Sequence, residues 1–67
     1  MDMATELAIR AIVRGLYDNE AIGAVQVSGI TAALKESAGA AMERRDPDTA
    51  KDLVSLCKGI KLDTAVT

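Results

Sequence analysis

The sequence predicts an all-α fold: a helical hairpin plus a third helix, completed as a homodimeric helical bundle. Three observations lead there. Apolar residues recur at helical spacing through most of the 67 residues. Two breaks, Asp18-Asn19 and Asp46-Pro47-Asp48, cut that pattern into three stretches. Finally, Cys57 is the single cysteine and histidine is absent, so neither an internal disulfide nor a structural zinc site is available as a staple.

The third observation matters because the chain is small. A chain near this length buries only about 60% of the surface its unfolded form exposes, and one core of this size rarely supplies more than roughly 3–5 kcal/mol. Twelve of the hydrophobic residues are alanine and Tyr17 is the one aromatic. Burial is worth about 25 cal/mol per Å², so such a core yields little per residue. A partner chain is the remaining source of buried area.

The first helix is expected over 3–17. Asp2 is its cap and Glu6 lies in its first turn, where the helix dipole favours an anion. Asp2, Glu6, Arg10, Arg14 and Asp18 form an i,i+4 row, with Glu6 and Arg10 in the favourable order for a pair. The rest of the circumference is apolar, a stripe wider than a surface helix needs. A helix of that kind packs against two neighbours, one of which belongs to another subunit.

The second helix is expected over 20–45, with a kink at Ser28-Gly29. In the alternative, residues 20–27 form a loop or short strand and Ser28 caps a shorter helix. The stretch Ser28 to Arg45 reads as the central helix. It is built mostly of small residues that allow close approach, and Ser37-Ala38-Gly39-Ala40-Ala41 resembles a small-xxx-small packing face. Arg44 and Arg45 place cations at its C-terminal end. The third helix is expected over 47–62, with Asp46 as cap and Pro47 at the first helical position. Ala50, Leu53, Cys57 and Ile60 follow a 3-4 spacing. Gly59 costs about 1 kcal/mol relative to Ala in a helix interior, which points to close packing or early fraying. Residues 63–67 show no pattern and are expected to form a mobile tail. The short connections imply that consecutive helices are antiparallel neighbours.

Several chemistries find no support. Without histidine there is no Ser-His or Cys-His nucleophile. Asp46, Asp48 and Asp52 cluster at a helix start, but capping, dipole complementation and a surface pair with lysine account for them. Cys57 sits between Leu53 and Ile60 on an apolar stripe, as a core cysteine does; an intersubunit disulfide would require the third helices to meet at a two-fold axis. No GxGxxG or GxxxxGK[ST] phosphate loop is present. No catalytic, cofactor-binding or metal-ligating residue is therefore assigned, no cofactor is expected, and the chain is not expected to be an enzyme.

The formal net charge is −2, with acids and bases interspersed. That argues against general affinity for phosphate backbones and against a polybasic membrane anchor. The N-terminal MDMATE carries acids where a secretory signal carries bases. With one free cysteine, this fits a reducing cytoplasm. The expected function is a small protein-binding or assembly module, of adaptor, chaperone or inhibitor type, whose partners are itself and another protein. Its interface is placed on Ile9, Ile12, Val13, Leu16, Leu53, Val54, Cys57 and Ile60. The alternative is a small helix-turn-helix-like DNA-binding regulator. Its recognition helix would offer Thr31, Lys35 and Glu36, with Arg44 and Arg45 too far along to sit at its start.

Overall fold

A computed structural model describes residues 1–66. Among them are three helices, α1 (Met3–Asp18), α2 (Ala24–Glu43) and α3 (Pro47–Thr64), and no strand.

Each boundary has a local cause. Asp2 caps α1, its carboxylate accepting from the Thr5 N–H at 2.7 Å. The helix ends because Glu20 turns left-handed (φ 61°). The Glu20 N–H then donates to the Tyr17 carbonyl at 3.1 Å and the Ala21 N–H to that of Leu16 at 2.9 Å, the paired bonds of a Schellman motif. This turn displaces the expected start of the second helix. Residues 20–23 are not helical; Gly23 is the cap, and its N–H donates to Gln26 Oε1 at 2.8 Å. From Ala24 the helix runs without the kink expected at Ser28-Gly29. Both residues lie on its exposed face, where they lower propensity but leave the i→i−4 ladder intact.

A second Schellman motif ends α2, with Arg45 at φ 58° and the Asp46 N–H donating to the Ala41 carbonyl at 3.0 Å. Asp46 then caps α3. It accepts from the Thr49 N–H at 3.2 Å and the Thr49 hydroxyl at 2.6 Å. Those two bonds hold the Asp46 carboxyl below the usual carboxylate range, the hydroxyl contributing most. α3 runs past the expected end at 62. The buried Thr64 hydroxyl donates to the Ile60 carbonyl at 2.8 Å, and the left-handed Ala65 (φ 55°) closes the helix. Asp63, Thr64 and Val66 are thus part of the folded unit rather than of a mobile tail; Thr67 lies outside the described residues.

The centre of the fold is α3, not α2. α3 packs extensively on α2 and also on α1, whereas α1 and α2 barely meet. The second and third helices form the expected hairpin, but the first does not pack as a neighbour of the second. Arg10 reaches Asp63 and Tyr17 packs in the cluster that holds Val66, while the Met1 ammonium meets Asp52. α1 therefore lies along α3 in the same direction. The Cα envelope measures 38 × 24 × 15 Å. The Cα atoms of one helix lie on a cylinder about 4.6 Å across and packed axes sit about 8–10 Å apart, so even the thinnest dimension spans about two packed helices.

Two clusters fill the interior. At one end Val13, Val27, Leu56 and Ile60 are buried, with Ile9, Tyr17, Ile22, Ile30, Leu34 and Val66 against them. At the other, beside the α2–α3 turn, Ala38, Ala41 and Ala50 are buried with Leu53 against them. All three helices contribute to the first cluster and only α2 and α3 to the second.

Candidate interaction surface

The eight residues expected at an interface do not share one surface. Val13, Cys57 and Ile60 are buried within the chain itself, and Ile9 and Leu53 are half-buried against its two clusters. The Cys57 thiol points inward to the Thr31 carbonyl, 3.7 Å away, and so links α3 to α2. Enclosed in this way, it is not placed to form a disulfide across a two-fold axis. Ile12, Leu16 and Val54 remain exposed. The reason is the position of α3: a helix covered on two sides spends its apolar stripe inside the chain, whereas α1, covered on one side, keeps most of its own.

What α1 exposes is continuous. Met3, Leu7, Ile12 and Leu16 are 72%, 50%, 64% and 43% exposed. Between them Ala4, Ala8 and Ala11 are also exposed, and Gly15 is partly so. Its charges are Arg14, on the side of Met3 and Leu7, and Asp18, which continues the row of small residues at the C-terminal end; Thr5 is its other polar residue. Met3 and Leu7 belong to it although the sequence pattern placed the interface on Ile12 and Leu16; the wide stripe was the signal for both. Elsewhere Met42 and Val54 flank a shallow apolar groove between α2 and α3, floored by Ala38, Gly39 and Ala50.

α1 is held to α3 by an ion pair that sequence spacing had assigned elsewhere. Arg10 does not close on Glu6. Its Nε and Nη2 donate to the two carboxylate oxygens of Asp63, each at 2.8 Å, a bidentate pair across helices. The guanidinium hydrogen bonds hold Asp63 below the usual carboxylate range and raise Arg10. This arrangement explains Gly59. A Cβ there would lie 2.6 Å from Arg10 Nε and 2.7 Å from its Cδ, so the glycine is the floor over which Arg10 crosses α3.

The acidic residues at the start of α3 do not converge. Asp46 is engaged by Thr49 and Asp52 by the Met1 ammonium, in place of the expected lysine. Among the described residues no three His, Cys, Asp or Glu side chains come together as a metal-binding group, and no helix is long and apolar enough to cross a membrane. Thr31, placed on a recognition helix by the DNA-binding alternative, is buried, and its hydroxyl donates to the Ser28 carbonyl at 3.1 Å. The helix it belongs to begins with Ala24, Val25 and Gln26 rather than after Ser28. Lys35 and Lys61 meet between α2 and α3, and the neighbouring Lys35 ammonium lowers the Lys61 pKa.

No family model, curated protein or solved structure matches this chain. The functional reading therefore rests on the surface just described.

Proposed function

We propose that this chain is a small non-enzymatic protein-binding or assembly module, of adaptor, chaperone or inhibitor type, which acts through apolar helix faces and associates with itself and with another protein in the cytoplasm. The supporting observation is the outer face of α1, where four large apolar side chains between 43% and 72% exposed surround a row of small ones. Soluble monomers rarely leave contiguous apolar surface of this kind open. The small core adds a thermodynamic reason, because association contributes burial that a chain of 67 residues lacks. The reading is tested by sedimentation mass together with thermal unfolding at chain concentrations spanning three decades. An assembly module gives a mass above that of one chain and a melting temperature that rises with concentration. A folded monomer with a constant melting temperature overturns the self-association.

The DNA-binding alternative draws no support from a specific observation. Its reading residue Thr31 is enclosed, and the first turn of α2 carries no basic side chain.

A further inference from the structure

We propose that α1 pairs with α1 of a second copy of this chain, antiparallel, about a two-fold axis level with Ile9 and Arg10. This rests on the assembly reading and names its partner and geometry. Ala4, Ala8, Ala11 and Gly15 follow a 4-3-4 spacing on the side of α1 opposite Ile9 and Val13. Such a spacing is a seam that faces one neighbouring helix.

The seam is self-complementary. A two-fold axis midway between residues 9 and 10 brings residue i level with residue 19 − i of the second copy. Ala4 then meets Gly15, and Ala8 meets Ala11. Leu7 falls level with Ile12, and Met3 with Leu16, so the large side chains bracket the small ones from opposite flanks at both ends. A two-fold interface requires one patch to match itself in this way. The charges on this face are compatible too: Arg14 falls level with Thr5, and Asp18, the next position of the seam, with Met1, so no like charges are opposed. The outer face of α2 offers no equal match, since Glu36 and Glu43 lie along it.

Size and packing agree. Eight apolar residues covered on each of two copies remove on the order of 1,000 Å², the lower bound for a specific interface. The small seam lets the two helices approach to about 8 Å, the near limit of helix packing. Gly15 fits this role: a Cβ there would meet nothing within 4 Å inside the chain, so no internal contact demands a residue that weakens the helix.

The test uses single cysteines in the full chain carrying Cys57→Ser. Near the axis, residue 8 faces its own copy with Cα atoms about 6 Å apart, inside the disulfide window. Residue 4 lies about 16 Å along the axis from its own copy. Ala8→Cys is therefore expected to cross-link to a covalent dimer under mild oxidation, and Ala4→Cys is not, whereas a mixture of Ala4→Cys and Gly15→Cys chains is. Cross-linking of Ala4→Cys alone would show a parallel pair and overturn the geometry. As a second variant, Ala8→Glu keeps an exposed site and a good helix former. It is expected to retain the helical circular dichroism and weaken association at least tenfold. An Ala8→Glu chain that remains fully associated would refute the α1 pairing while leaving the assembly reading intact; a wild-type monomer would sink both.

Discussion

The two ends of the α2–α3 hairpin hold the same helices together by opposite means. At the open end, branched side chains from three helices bury area: Val27 is fully enclosed and Ile60 is 1% exposed. At the turn end, Ala38, Ala41 and Ala50 bury little area each, but they let the helix backbones approach. The turn itself supplies rigidity through a Schellman motif and an Asp46–Thr49 cap. One end depends on volume and the other on its absence, so the open end should be the more sensitive to shrinking a side chain and the turn end to enlarging one.

Ile60→Ala should produce the largest loss. Removing a buried isoleucine costs about 2–5 kcal/mol, comparable to the roughly 3–5 kcal/mol that a core of this size supplies. Urea titration followed by circular dichroism should show a chain that is largely unfolded at low concentration. A loss below about 1 kcal/mol would mean that the open end is not where stability resides. Ala41→Leu tests the other end. Overpacking costs about 1–3 kcal/mol, so an added side chain should lower the urea midpoint. If it raised the midpoint, the turn end would be under-filled rather than close-packed.

The Arg10–Asp63 pair ties α1 to the open end, and its side chains are 26% and 18% exposed. A partly exposed bidentate pair is worth about 1 kcal/mol. Asp63 has a lowered pKa in the folded state. The stability it confers is therefore complete above about pH 5 and lost as the pH falls through about 4 and below. Asp63→Asn should flatten that part of the acid limb and leave neutral-pH stability about 1 kcal/mol lower. An unchanged acid limb would count against the pair. Gly59→Ala refines the point. In an Arg10→Ala background it should gain about 1 kcal/mol of helix propensity. With Arg10 present, the clash should remove most of that gain.

The smallest effect is expected at the caps. Glu20 and Arg45 hold left-handed conformations that glycine adopts without strain. Arg45→Gly and Glu20→Gly should each stabilise by about 0.5–1 kcal/mol, read as a rise in the urea midpoint. Arg45→Gly should add its gain to a turn end already set by close packing. A destabilised Arg45→Gly would show that its side chain has a role beyond the turn.

The number and type of elements were legible in the sequence because Asp2 and Asp46-Pro47 act locally. Each caps the helix that follows through atoms three residues away, and spacing reveals such contacts. The errors lie where the deciding contact is elsewhere. Nothing near Glu20 announces a left-handed residue, since glycine would be the usual signal, so spacing alone starts the second helix too early. Asp63 read as tail because its partner Arg10 lies 53 residues back. The wide stripe of α1 correctly signalled more apolar surface than one neighbour requires. Which side stays open was not legible, because that follows from α3 taking the middle of the fold, between α1 and α2. The same placement encloses Cys57 and Ile60, which share a 3-4 spacing with the half-buried Leu53.

The position of α1 also sets an order of events. α3 meets α2 through a turn of a few residues, and Cys57 and Thr31 are 26 apart in sequence, whereas Arg10 and Asp63 are 53 apart. Loop closure grows costlier with length, so the α2–α3 hairpin should form first and α1 dock last. Synthesis runs the other way: α1 is made before the helix it rests on. Until α3 is in place, the face destined for it and the face that stays open are uncovered together.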